Sequence, residues 1–208
     1  MKKVQIKICG ITRAEDARLA ADLGADALGL VFFQGSKRHV SLEQAQQIAA
    51  AVPPFVQLTG LFVNAHADTV YETLQQVPLN LLQFHGDETP EFCRQFQRPY
   101  LKAVRVRTGS DIEQAFADYA DARGILLDAW VEGAYGGTGQ TFDWQVLPPS
   151  LRGHWILAGG LNPDNVAAAL VQTKARAVDV SGGVEAAAGI KCPHKMADFI
   201  AACRGVTA

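Results

Sequence analysis

Two periodicities take turns along the chain. Short runs rich in β-branched and aromatic residues give way to longer stretches whose apolar residues recur three and four apart. The strand-like runs are VQIKIC (4–9), DALGLVF (26–32), VQLTGLFV (56–63), LNLLQFH (79–85), YLKAVRV (100–106), GILLDA (124–129), HWILAG (154–159) and RAVDVSG (176–182). The helical patterns that follow them are RAEDARLAADLG, SLEQAQQIAAAV, ADTVYETLQQV, TPEFCRQF, GSDIEQAFADYA, FDWQVLPPSL, NPDNVAAALVQ and PHKMADFIAAC. Ser41, Thr89 and Asn162 stand where N-caps are expected, and Pro163 suits a first helical turn.

A strand followed by a helix, eight times over, implies parallel strands joined by crossover helices, because parallel neighbours cannot be linked by a tight hairpin. The pattern predicts an α/β fold, a closed (β/α)8 TIM barrel forming a single compact domain over residues 1–208. That length is near the lower limit of about 200 residues for this architecture, so the units must be compact. The competing open, doubly wound sheet usually carries a glycine fingerprint after its first strand; here CGIT follows instead. The one longer excursion is WVEGAYGGTGQT, residues 130–141.

Charge and cysteine content narrow the partners. A net charge of −2 provides no electrostatic basis for binding nucleic acid or an anionic membrane. Cysteines 9, 93, 192 and 203 show neither zinc-site spacing nor disulfide density, so reduced thiols are expected. Lys2 and Lys3 precede an apolar run that Gln5 and Lys7 interrupt, which is no signal-peptide core. No run approaches the roughly 20 apolar residues of a membrane helix. A soluble cytoplasmic protein with a small-molecule ligand and no metal is expected, as a monomer or homodimer.

On a barrel of this kind chemistry gathers at the C-terminal ends of the strands. Those ends carry Cys9, His85, Asp128, Gly159, Gly160, Asp179 and Ser181. Along the first strand Gln5, Lys7 and Cys9 share one face and Val4, Ile6 and Ile8 the other. With the apolar face against the helices, Lys7 and Cys9 point inward, Lys7 as a candidate substrate contact, and an ammonium beside a thiol favours the thiolate. Cys9 is then a base or a nucleophile rather than a small core residue. Asp128 ends the apolar strand GILLDA; it either caps the next loop or, with burial raising a carboxyl pKa, serves as an acid. Asp179 either neutralises Lys7 or meets substrate hydroxyls. His85 is a candidate acid, base or substrate contact, or a hydrogen-bonded structural residue.

Three glycine-rich segments come late: GGTG with Gly137 and Thr138, AGGLNPDN with Gly159 and Gly160, and VSGGVE with Ser181, Gly182 and Gly183. Glycine lets backbone N–H groups approach an anion, and the loops after strands 7 and 8 are the usual phosphate site of a TIM barrel. A phosphate monoester ligand is expected. Arg38, in QGSKRHVS after the second strand, suits a carboxylate or a second phosphate. Trp130 could contact an aromatic ligand; Trp144 is better placed for core packing.

The ordered succession KICGIT, GADALGLVF, GLFVN, QFHGDE, LKAVRV, LLDAW with GGTGQTFDW, LAGGLNPDNV and VDVSGGVE with GIK resembles the phosphoribosylanthranilate isomerase family of tryptophan biosynthesis. That resemblance implies a cofactor-free Amadori rearrangement, with Cys9 as general base, Asp128 as general acid, Arg38 at the anthranilate carboxylate and the late glycine loops on the phosphate. Three departures stand out. Ser36-Lys37-Arg38-His39 lacks the proline that usually precedes the arginine, Ser181-Gly182-Gly183 lacks a second serine, and Lys191 is followed by Cys192 where an aspartate is usual. A related sugar-phosphate barrel enzyme, a non-catalytic phosphate binder and a thiol redox protein are the other readings. Cys9 at strand 1 argues against the first, and the lack of a nearby resolving cysteine against the last.

Overall fold

A computed structural model describes residues 3–129, 141, 143–148, 151 and 154–206. Eight parallel strands close into a barrel in chain order: β1 (Gln5–Cys9), β2 (Ala27–Val31), β3 (Gln57–Phe62), β4 (Leu81–Phe84), β5 (Tyr100–Val106), β6 (Gly124–Ala129), β7 (Trp155–Leu157) and β8 (Ala177–Val180). The described helices are α1 (Ala14–Asp22), α2 (Leu42–Ala51), α3 (Ala67–Gln76), α4 (Pro90–Arg94), α5 (Gly109–Asp118), α6 (Val166–Thr173) and α7 (Pro193–Gly205). The TIM barrel expected from the alternation is the fold observed. No described helix is long and apolar enough to cross a membrane.

Alternation along each strand sorts side chains into two cores. Ile6 and Ile8 of β1, Leu28 and Leu30 of β2, and Phe62 and Phe84 of β3 and β4 face outward and pack with Ala17, Ala20, Ile48, Val70 and Phe199 of the helices. Inside, Ala103, Leu126 and Ala158 form a small plug. Above it, Cys9, Val31, Leu61 and Val63 form a second apolar patch at the C-terminal mouth. The short α4 is held by aromatic packing, with Phe92 and Phe96 lying 5.8 and 5.7 Å from the Phe84 ring centre.

Two local expectations are corrected, and one element is added. FDWQVLPPSL does not form a helix over its described residues; Trp144–Val146 make one 3-10 turn. Consecutive prolines at 148 and 149 remove backbone donors that a helix there would need. Asn162 does not cap α6, which starts three residues after Pro163 with Asn165 at its N-cap. The Asn162 side chain instead accepts from the N–H groups of Asp164 and Asn165, a turn that competes with helix initiation. Finally, the chain after β8 forms a small antiparallel hairpin, β9 (Glu185–Ala187) with β10 (Ile190–Lys191), which no periodicity announced. Capping at Ser41 and Thr89 is as expected, each side chain accepting from the backbone three residues on.

Candidate active site

A cavity of about 240 Å³ opens at the C-terminal ends of the strands, and Cys9, His85, Asp128, Asp179 and Arg38 all line it. Cys9 ends β1 and Asp128 lies near the end of β6, with β7 and β8 intervening on one side. The thiol and the carboxyl therefore enter the same space from opposed walls. Gly159 and Gly160 after β7, and Ser181, Gly182 and Gly183 after β8, complete the rim. Gly137, Thr138 and Trp130 lie outside the described residues. Trp144 packs against the outer core.

Register explains the base of the cavity. In the parallel β1–β8 ladder Lys7 stands opposite Asp179, so both side chains enter the barrel side by side. Lys7 Nζ donates to Asp179 Oδ1 at 2.8 Å, with both side chains over nine-tenths buried. The ammonium lies beneath the cavity and does not line it, so Lys7 is not placed as a direct ligand contact. Of the two roles open to Asp179, the charge partner is the one the geometry displays. Burial works against the Lys7 cation, but Asp179 and the Cys9 sulfur outweigh it and hold its pKa above the usual lysine range.

The thiol goes the other way from expectation. Burial raises the Cys9 pKa and outweighs the lowering by Lys7, whose charge is largely met by Asp179; the carboxylate of Asp179 adds a further upward push. The resting sulfur is accordingly a thiol near neutral pH. The sequence placed the cation correctly beside the sulfur but carried no information about depth.

Gly29 is a site residue that sequence reading missed. It stands opposite Cys9 in the β1–β2 register, and a methyl group there would lie 2.7 Å from Cys9 Sγ and 3.1 Å from Lys7 Nζ. Only the absence of a side chain leaves room for both groups. The hint was a glycine inside an otherwise apolar strand, a pattern that marks close approach.

Across the cavity, Asp128 Oδ1 accepts from the Ala129 N–H at 2.8 Å. Its Oδ2 lies 3.1 Å from His85 Nε2, and His85 Nδ1 lies 3.0 Å from Gln83 Nε2. Gln83, His85 and Asp128 thus form one buried line of polar groups from the barrel interior to its mouth. The backbone beside His85 is pinned from outside the barrel. Glu88 accepts from the N–H groups of Asn64 and Gly86 and from Lys102 Nζ, while Lys102 also donates to the Gly86 carbonyl. Arg38 is engaged by Glu185, a residue the sequence reading gave no role.

An apolar wall of Val31, Phe33, Leu61 and Val63, two acid–base candidates and glycine loops beside an arginine define a TIM-barrel enzyme site for a small anionic molecule with an apolar part. A family model described as N-(5'phosphoribosyl)anthranilate (PRA) isomerase matches residues 6–202. The chain is 57% identical over 204 residues to N-(5'-phosphoribosyl)anthranilate isomerase of Pseudomonas fluorescens (strain SBW25), covering 98% of this chain and 97% of that protein. The phosphoribosyl anthranilate isomerase structure from Thermotoga maritima is 40% identical with a TM-score of 0.89, covering 98% of this chain and all of that one. A phosphoribosyl anthranilate isomerase in complex with reduced 1-(o-carboxyphenylamino)-1-deoxyribulose 5-phosphate is 38% identical with a TM-score of 0.83 and the same coverage. The chain belongs to the N-(5'-phosphoribosyl)anthranilate isomerase family.

Proposed function

We propose that the protein isomerises N-(5-phosphoribosyl)anthranilate to 1-(2-carboxyphenylamino)-1-deoxyribulose 5-phosphate, the cofactor-free Amadori step of tryptophan biosynthesis, in the cytoplasm. The observation that carries this reading is the arrival of Cys9 and Asp128 on opposed walls of one cavity. Ring opening needs a proton on the furanose oxygen. Asp128 delivers it, its Oδ2 sharing the hydrogen bond with His85 Nε2. The C1–O bond breaks and the anthranilate nitrogen lone pair forms an iminium ion.

That cation acidifies the proton on C2 and also changes the electrostatics at Cys9. A positive charge arriving beside the sulfur favours the thiolate; the thiol releases its proton to solvent at the cavity mouth, so the deprotonated base becomes populated where burial alone holds it as a thiol. Thiolate removal of the C2 proton gives an enolamine, and reprotonation at C1 yields the aminoketose. Val31, Phe33, Leu61 and Val63 offer the aromatic ring an apolar wall. Arg38 meets the anthranilate carboxylate. The glycine segments at 159–160 and 182–183 take the phosphate, joined by Gly137 and Thr138. The chain works as a monomer or homodimer, and a larger assembly by light scattering would correct that.

Fluorescence-monitored turnover of freshly made substrate tests the roles. Cys9→Ala and Asp128→Asn each lose about 10² or more in kcat, and near-normal rates in folded variants would refute the assignment.

A further inference from the structure

Arg38 reaches the cavity from the loop after β2, but its guanidinium does not hang free. Nε donates to Glu185 Oε1 and Nη2 to Glu185 Oε2, both at 2.8 Å. This fork-to-fork geometry fixes a guanidinium plane more firmly than a single contact does. It uses one edge of the group and leaves Nη1 without a protein acceptor among the described residues.

Glu185 is itself held. Its side chain is 6% exposed and that of Lys191 is 0% exposed. Lys191 Nζ donates to Glu185 Oε1 at 2.8 Å and to the Ser181 carbonyl at 3.1 Å. The β9–β10 hairpin sets Lys191 across from Glu185. Burial pushes the Glu185 carboxyl up, yet the Arg38 hydrogen bonds and the Lys191 charge bring it below the usual carboxylate range. Two cations share one carboxylate, so the cluster keeps a net positive charge.

We infer that Glu185 is the positioning residue for Arg38: it fixes which edge of the guanidinium faces the substrate, and Lys191 fixes Glu185. The clamp joins the loops after β2 and β8, 147 residues apart in sequence. The inference rests on the reading of Arg38 as the contact for the substrate carboxylate.

The test is a double-mutant cycle on KM. Glu185→Gln/Lys191→Met removes both buried charges together, and Glu185→Asp keeps the charge but shortens its reach; circular dichroism establishes that each is folded. Either change raises KM about tenfold, the size of one charge-assisted hydrogen bond, with the loss carried by KM rather than kcat. The preference for reduced 1-(o-carboxyphenylamino)-1-deoxyribulose 5-phosphate over its counterpart lacking the carboxyl group falls in step. In an Arg38→Met background the same changes add nothing to KM. Equal increases in both backgrounds would overturn the inference while leaving Arg38 in place. An Arg38→Met variant with unchanged KM and unchanged carboxyl preference would overturn the reading of Arg38 and the inference with it.

Discussion

Replacing Lys7 by methionine isolates the one charge that lowers the Cys9 pKa most. The spacing at Gly29 bounds its size: a methyl group there would lie 2.7 Å from Cys9 Sγ and 3.1 Å from Lys7 Nζ, so the two atoms are no more than about 6 Å apart. A unit charge at that distance is worth about 3 kcal/mol at an effective dielectric constant of about 20. That equals a factor of about 10² in the balance between thiol and thiolate. Lys7→Met should therefore push the Cys9 thiol further up, in the direction burial already drives it.

The sign follows from the chemistry of the sulfur. A higher thiol pKa leaves less thiolate at a given pH, so alkylation and turnover both shift to more alkaline conditions. At pH 8 kcat/KM should fall about 10²-fold. Asp179→Asn should shift the profile the opposite way, because it removes an upward push on the thiol and uncovers the Lys7 charge.

The assay is the rate of Cys9 carbamidomethylation by iodoacetamide from pH 6 to 11, followed on the Cys9 peptide by mass spectrometry so that other thiols do not interfere. Breaking a buried ion pair on one side costs about 3–5 kcal/mol, so folding is checked for each variant, and Lys7→Met/Asp179→Asn provides a charge-balanced comparison. That double variant should still shift upward, since Lys7 outweighs Asp179 at the sulfur. An unmoved or lowered midpoint in folded Lys7→Met would refute this account of the thiol.

Gly29→Ala should lower kcat by an order of magnitude or more and destabilise by about 1–3 kcal/mol, because the new methyl would overlap Cys9 Sγ; steady-state kinetics and urea melts test it, and a wild-type kcat would exclude the steric reading. Cys93 and Cys203 are buried and pushed up to about 12, so a chromogenic disulfide reagent at pH 8 should leave both unmodified until the protein is denatured. Cys192 caps α7 without a side-chain hydrogen bond, so Cys192→Ser should add one and raise stability by about 1 kcal/mol, read as a higher thermal midpoint. Glu185 is held below the usual carboxylate range; the stability this contributes is present above about pH 4 and lost as pH falls through its folded value. An acid titration of Glu185→Gln/Lys191→Met should accordingly be shallower than that of the wild type.

Much of the site was legible in the sequence. The alternation of Gln5, Lys7 and Cys9 put the ammonium and the thiol on one face, and the strand-end rule selected Cys9, His85 and Asp128, all of which line the cavity. Glu185 went unread because a charged residue in a glycine-rich loop looks like a solvated one until its neighbours are known. The Asn162 cap failed because the same side chain satisfies a turn as readily as a helix start. The segment around Trp144 had helical spacing, but its two prolines carried more weight than its apolar pattern.

Spacing along the chain determined the eight strands, their inward and outward faces, and the loops that would share one end of the barrel, since each of these is a local consequence of backbone geometry. Folding alone decided the pairings. The sequence left Lys7–Asp179, 172 residues apart, as one of two roles for Asp179, and Arg38–Glu185, 147 apart, went unread; spacing alone settles neither contact. Folding also decided the direction of the Cys9 pKa, because desolvation depends on what surrounds a group in space and not on which residues flank it in sequence.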